Sequence, residues 1–293
     1  FTVGEAWLDL IDPDAITLPP YEGELHPVMD FMRMRKGCLG DFSKREIRLI
    51  RRTYAAMVAE LDAMVGKLMD KIEALDLWDS TYVIYLSDHG EMAMEHRQHL
   101  KNSLYEPSAR VPMMIAGPGV EQGARVDDLV SLIDVYPTLM DMAGIAPPDE
   151  LEGVSLMPDL HGERAPERPD YVFSEYHSNF QNTSSFMLRR GDWKYVAYDG
   201  YDSQLFDLQN DPDEMINLVD AQPQRAEQMD ADLRDLVDYP EVADRVRDYN
   251  KASFIAWREQ MPPEEYEAYM SDFFAGWGLA LKGDIEAWLN GRK

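Results

Sequence analysis

The chain has 293 residues, of which 45% are apolar, so it can bury a large core in one or two domains. Its 55 acidic and 28 basic residues give a formal net charge of −27, which disfavours nucleic acid and anionic membranes as partners. No apolar run is long enough for a membrane span, and one cysteine excludes an intrachain disulfide framework.

The N-terminal part is predicted to contain one long amphipathic helix. Helical sequence at residues 3–11 is followed by a loop broken by prolines, in which we expect His26 to be a surface histidine. The long helix is predicted at residues 41–77, where Ser43 and Glu46 have the spacing of a capping box. Apolar residues recur along one face of this helix, and we expect that whole face to pack against a sheet.

Two apolar strands are predicted next, at residues 81–86 and 111–116. A helix followed by a strand is typical of parallel sheets, so the fold class is predicted to be α/β, with a mostly parallel sheet flanked by helices. A further extended piece is predicted at residues 126–132. Asp134 then has the position of an N-cap for a helix at residues 135–143, and Gly144 is expected to end that helix.

The C-terminal part has a different texture. Prolines become frequent after residue 147, so we place a boundary near Leu151 and predict two units, residues 1–150 and residues 151–293. Four short segments predict a small antiparallel sheet in the second unit, at residues 171–175, 185–190, 193–198 and 204–208. Helices are predicted at residues 222–236, 242–260 and 284–289.

Polar residues follow the first strand directly. Asp88-His89-Gly90-Glu91 comes immediately after it, and three of the six histidines, among them His96 and His99, fall within eleven residues. Ligands of α/β proteins collect beyond the carboxyl ends of the strands, so we expect the functional site here. Glu106 and Arg110 are expected to form a buried ion pair that supports the structure.

The spacing of these motifs closely resembles the second half of the catalytic domain of type I sulfatases, which belong to the alkaline-phosphatase-like superfamily. The matching pieces are Asp88-His89-Gly90-Glu91, Glu95-His96, Lys101, Tyr105-Glu106 and Arg110-Val111-Pro112. The likeness extends from near Leu18 to Tyr249, and the run from Ser87 to Gln98 matches sulfatases of 2-O-sulfated uronic acids. The resemblance implies an alkaline-phosphatase-like fold and a sulfuric ester hydrolase whose substrate is a sulfated carbohydrate or an aryl sulfate.

The resemblance also implies a metal site that is only partly present. Asp88 and His89 would complete a Ca²⁺ or Mg²⁺ site, with Asp88 the better ligand because such hard cations prefer oxygen. The family's nucleophile is a formylglycine made from a C/S-x-P-x-R pentapeptide, and neither Cys38 nor any serine here fits that pattern. We therefore expect the nucleophile to come from an N-terminal segment of the same protein, and this chain alone to be inactive.

Further roles are implied by matched positions. Lys101 corresponds to the family's active-site lysine, whose ammonium suits a sulfate oxygen and the departing oxygen. His96 is a candidate donor of a proton to the leaving group. Arg97 and His177 are candidates for substrate binding, and an arginine can fork onto a uronate carboxylate. His99 departs from the resemblance and is not assigned to the site.

Two alternative functions remain open at this stage. One is a phosphonate monoester or phosphodiester hydrolase of the same superfamily, and the other is a sugar-binding remnant without catalysis. The sequence leaves the compartment open as well: we expect a periplasmic, secreted or lysosome-like location, with the cytoplasm as the alternative.

Overall fold

The computed structural model of the chain describes residues 1–21, 23–40, 42–178 and 180–277, with side chains up to residue 272. The helix predicted at residues 284–289 lies outside the described residues. None of the described helices combines the length and apolar character that crossing a bilayer requires.

Two of the described strands lie among the helices of the first half of the chain, and the other four follow one another in the second half. The helices are α1 (Glu5–Asp9), α2 (Pro27–Arg35), α3 (Lys44–Ala74), α4 (Glu106–Ala109), α5 (Val135–Met142), α6 (Met157–Leu160), α7 (Pro223–Leu236), α8 (Tyr239–Glu259) and α9 (Pro263–Trp277). The strands are β1 (Val83–Leu86), β2 (Met113–Ala116), β3 (Tyr171–Tyr176), β4 (Ser185–Arg190), β5 (Trp193–Tyr198) and β6 (Tyr201–Asp207).

Helix α3 begins as the sequence predicts. The Ser43 hydroxyl accepts a hydrogen bond from the Glu46 N–H at 3.2 Å, and the Ser43 N–H donates to the Glu46 carboxylate at 2.7 Å. The expectation that the whole apolar face is packed is wrong for the described residues, since Leu61, Met64 and Leu68 are exposed. Local periodicity selects the helix, but no other described element covers the middle of it.

Strands β1 and β2 pair antiparallel, with Val83 opposite Ala116 and Leu86 opposite Met113. The prediction of a mostly parallel sheet is therefore wrong for the described strands. The physical reason is the connection between them, a loop that holds only short helical turns and so reverses the chain instead of crossing over the sheet. Strand β2 starts after Pro112, which has no N–H for the ladder. Residues 126–132 form no strand.

Asp134 has a different role from the predicted N-cap. Its side chain makes no cap hydrogen bond to α5. Instead its carboxylate accepts from the N–H groups of Ser131 and Val154, both at 2.9 Å, and pairs with Arg168 at 3.1 Å. Asp134 is buried, so it anchors the loop before α6 to the start of α5. The predicted end of α5 is confirmed, because Gly144 has a φ of 66°.

His26 is not the loop histidine that the prolines suggested. It caps α2, its Nε2–H donates to the Asp202 carbonyl at 2.8 Å, and its ring stacks on Tyr198 at 4.4 Å. Burial lowers the pKa of His26, while the backbone of Asp202 acts in the opposite direction. Pro27 occupies the first position of α2, where proline favours a helix. The contacts of His26 with Tyr198 and Asp202 join the start of α2 to strands β5 and β6.

The antiparallel sheet of the C-terminal part is confirmed, with strands in the order β3-β4-β5-β6. Both faces of this sheet are buried at β4, since successive residues of a strand point to opposite faces and Ser185, Phe186, Met187 and Leu188 are all buried. Phe186 and Leu188 pack with α7 and α8, whereas Met187 packs with α2 and the loop before α4. Since this second core joins residues on both sides of Leu151, the boundary there stays a prediction. Helix α8 begins at Tyr239, earlier than predicted, and α9 was not predicted.

Candidate active site

A cleft of about 1350 Å³ opens beyond the ends of β1 and β2. Asp88 and His89 line it directly after β1, and Lys101 lines it from the loop before α4. Residues of β3 and β4, including Tyr176 and Arg189, form the facing wall. The carboxylate and the ammonium that the sequence assigned to one site therefore share one cavity.

The Asp88 carboxylate faces this cleft. Its side chain is 83% exposed, and its Oδ1 accepts from the His89 N–H at 3.0 Å. The His89 Nδ1–H donates to the Gly90 carbonyl at 2.9 Å, which leaves Nε2 with a lone pair 3.3 Å from Asp88 Oδ2. The Asp88 carboxylate and the His89 Nε2 are thus close enough that both would be able to hold one divalent cation.

Two ligands are only part of a shell for a hard divalent cation, which takes six or more donors. Among the described residues, no group of three or more His, Cys, Asp or Glu side chains converges as a metal site. Asp88 and His89 therefore fit a Ca²⁺ or Mg²⁺ site as a contributing pair and do not complete one.

Gly90 is required by close packing. A Cβ at this position would lie 2.0 Å from the Pro107 carbonyl oxygen, far inside van der Waals contact. The Gly90 N–H donates to the Ser108 carbonyl at 2.8 Å. The loop that holds Asp88 is thus seated directly on α4.

Lys101 lies on a loop that is held from within. The Glu91 carboxylate accepts hydrogen bonds from the N–H groups of Ala93 at 3.1 Å and Leu100 at 2.6 Å. Arg51 of α3 donates to the Ala93 carbonyl at 3.0 Å and pairs with Glu95. These contacts close the loop, so Lys101 projects from a fixed backbone.

The other predicted site residues lie outside the residues that line the cleft. His96 is buried and stacks on Tyr105 with ring centroids 3.8 Å apart. The Arg97 guanidinium lies 4.8 Å from the centre of the Tyr21 ring. The His177 ring packs against Phe186 at 5.1 Å, and its Nε2 lies 3.5 Å from the carboxylate of the cleft residue Glu175. Of the six predicted site residues, the structure thus brings Asp88, His89 and Lys101 to the cleft.

Glu106 has partners that the sequence did not reveal. Its carboxylate bonds Arg189 at 2.9 Å and Lys194 at 3.0 Å, and Lys194 also bonds Glu214 at 2.8 Å. Burial alone would raise the pKa of Glu106, but Lys194 and Arg189 hold it below its ordinary value. The predicted buried pair with Arg110 is wrong, because Arg110 is exposed and lines the cleft.

The cleft has side chains of both signs in an otherwise acidic chain. Its basic lining residues are Lys101, Arg110, Arg125 and Arg189. Only Lys101 was assigned to the site from sequence, because Arg110 was expected to pair with Glu106, and Arg125 and Arg189 lie outside the matching motifs. The acidic residues that line the cleft outnumber the basic ones and come from several segments, namely Asp88, Glu91, Glu95, Glu106, Asp127, Asp128 and Glu175. An anionic ligand in this cleft would therefore need the basic side chains together with a bound metal cation.

Comparison with known proteins identifies the same family that the sequence motifs resemble. The Sulfatase family model matches residues 26–145, and the model for the C-terminal part of N-sulphoglucosamine sulphohydrolase matches residues 94–239. The chain is 45% identical to arylsulfatase K of Mus musculus, over 87% of this chain and 48% of that protein. It spans about half the length of the curated relatives it matches.

Solved structures share the fold. A phosphonate monoester hydrolase of Agrobacterium radiobacter matches with a TM-score of 0.67 at 24% identity, over 80% of this chain and 53% of that chain. A 2-O GAG sulfatase matches with a TM-score of 0.57 at 28% identity, over 81% of this chain and 55% of that chain. The predicted α/β, alkaline-phosphatase-like fold is confirmed. The chain belongs to the type I sulfatase family.

Proposed function

We propose that this chain is part of a sulfuric ester hydrolase that acts on a sulfated sugar. The observation that carries the proposal is the shared cleft, in which Asp88 and Lys101 come from separate segments and line one cavity. The identity to arylsulfatase K supports the sulfate ester as the bond that is cleaved.

Cleavage of a sulfate ester requires the anionic sulfate to be held and the departing oxygen to be stabilised. Asp88 and His89 would supply two ligands of a Ca²⁺ or Mg²⁺ ion. Such an ion, when bound, neutralises charge on the sulfate. The Lys101 ammonium would bind a sulfate oxygen and donate a proton to the sugar oxygen as it leaves.

The nucleophile of this proposal is a formylglycine from a sulfatase segment that corresponds to the unmatched half of the relatives. The exposed face of α3 supports this, since Leu61, Met64 and Leu68 form a continuous apolar stripe. Met114 of β2 is 60% exposed and adds to the apolar surface. We propose that the companion segment covers these residues and brings the remaining metal ligands to Asp88.

The proposed substrate class is a 2-O-sulfated uronic acid. Such a sugar has a carboxylate as well as a sulfate, and Arg110 lines the same cleft as Lys101. Arg125 and Arg189 also line the cleft, but they pair with Asp127 and Glu106. The similar 2-O GAG sulfatase supports this choice. Arginine binds carboxylates with two parallel hydrogen bonds, which gives specificity for the uronate.

The test is turnover of an aryl sulfate by the intact protein, compared with an aryl phosphodiester. We expect the sulfate to be preferred, and Lys101→Ala to lower its turnover by about 100-fold or more while thermal stability is unchanged. Lys67→Ala, at an exposed position of α3, is the matched control. A preference for the phosphodiester would favour the phosphonate or phosphodiester hydrolase instead.

A second measurement tests the origin of the nucleophile. Residues 1–293 by themselves are expected to hydrolyse no aryl sulfate. Full activity of this chain without any companion segment would contradict the proposal that the nucleophile comes from elsewhere.

A further inference from the structure

Lys36 is a buried lysine that the proposed chemistry does not use. It follows the last residue of α2 and is 6% exposed. Its Nζ donates hydrogen bonds to the Gln98 side-chain oxygen at 3.1 Å and to the main-chain carbonyl of Lys101 at 2.5 Å. The second bond joins a buried ammonium to the backbone of the proposed active-site lysine.

The main chain of Lys36 contacts the same loop. Its carbonyl accepts a hydrogen bond from the His99 Nε2–H at 2.8 Å. Lys36 therefore holds Gln98, His99 and Lys101 at once, through both its side chain and its backbone. This contact also gives His99 a role that the sequence left unassigned.

The loop has a conformation that needs such support. Six of its non-glycine residues have positive φ, namely Ala93, Met94, His96, Arg97, Leu100 and Asn102. Two of them flank Lys101 directly, with φ of 64° at Leu100 and 91° at Asn102. Each such residue costs on the order of 1 kcal/mol and persists only where surrounding contacts impose it. The bond from Lys36 to the Lys101 carbonyl is one of these contacts.

A buried ammonium is itself unfavourable to the fold. Burial lowers the pKa of Lys36 to about 8, although Cys38 and Glu91 act in the opposite direction. A methionine of similar size would fill the same space without burying a charge. The charge is therefore better explained by what it holds than by packing.

We infer that Lys36 is a positioning residue, which fixes the backbone of Lys101 and so aims the Lys101 ammonium into the cleft. The inference rests on the proposed function. The Lys36 ammonium contacts the main-chain carbonyl of Lys101. Any effect of Lys36 on turnover therefore depends on where the Lys101 backbone places its side chain. A displacement of about 1 Å at a reacting group can cost about 100-fold in rate.

The test is a double-mutant cycle in the intact protein with an aryl sulfate as substrate. Lys36→Met is made in the wild-type background and in Lys101→Ala, and kcat and thermal stability are measured for each variant. Lys67→Met is the matched control on an exposed surface. If Lys36→Met does not fold, Lys36→Gln, which keeps a hydrogen-bond donor, is measured in the same two backgrounds instead.

We expect Lys36→Met to lower kcat by about 10- to 100-fold when Lys101 is present, and by less than about twofold when it is absent. Equal losses in both backgrounds would mean that Lys36 only supports the fold, which overturns the inference but not the proposed function. A wild-type rate for Lys101→Ala alone would remove Lys101 from the proposed function, and the inference with it.

Discussion

Replacing Lys194 with methionine tests the charged cluster behind the cleft. Lys194 is fully buried and bonds two carboxylates, Glu106 at 3.0 Å and Glu214 at 2.8 Å. Glu214 is 2% exposed and also accepts a hydrogen bond from the Glu106 N–H at 2.6 Å. Methionine fills a similar volume but leaves the Glu214 carboxylate without its cation.

Removal of one partner from a buried ion pair costs about 3–5 kcal/mol in the free energy of unfolding, and we expect a loss in this range at pH 8. The loss should depend on pH. Burial raises the pKa of Glu214, and the opposing attraction of Lys194 disappears in the variant, so the folded-state pKa rises further above 4.5. A carboxyl whose pKa is higher in the folded than in the unfolded state stabilises the fold fully below the unfolded-state pKa. That stabilisation is lost as pH rises through the folded-state pKa. The deficit of Lys194→Met should therefore be smaller at pH 5 than at pH 8.

The assay is urea unfolding of the intact protein at both pH values, with Lys67→Met as control, which should change the free energy of unfolding by less than about 0.5 kcal/mol. The double variant Lys194→Met/Glu214→Gln should recover part of the loss, because the stranded charge is gone. A loss below about 1 kcal/mol at pH 8, or one that is the same at pH 5, would refute the reasoning.

Three further outcomes follow from local contacts. Asp88→Asn removes a carboxylate charge, so the Ca²⁺ concentration needed for half-maximal activity of the intact protein should rise at least about tenfold; an unchanged requirement would remove Asp88 from the metal site. Gly90→Ala places a Cβ 2.0 Å from the Pro107 carbonyl oxygen, so both thermal stability and turnover should fall, and a variant with wild-type values would show that the loop is not seated on α4. Ser43→Ala removes the cap hydrogen bond from the Glu46 N–H and should cost about 1 kcal/mol in urea unfolding, with no change in turnover.

Elements defined by neighbouring residues were predicted well. The capping box of α3, three strands of the second sheet and the glycine end of α5 each depend on contacts within a few residues. Helix α2 was missed because His26 and Pro27 were placed in the loop that the earlier prolines break, although proline at the first helical position allows a helix to begin. The sequence also predicted that Asp88 follows a strand, and β1 ends two residues before it.

The sequence by itself determined the family, the α/β class and the strand–loop motif that puts Asp88 and Lys101 within reach of each other. Only the tertiary structure decided that β1 and β2 pair antiparallel, that His96 and His177 are not among the residues that line the cleft, and that Glu106 pairs with Lys194. Glu106 and Lys194 are 88 residues apart in the chain. Periodicity and capping act over one or two turns, whereas the partner of a buried charge depends on how distant segments pack.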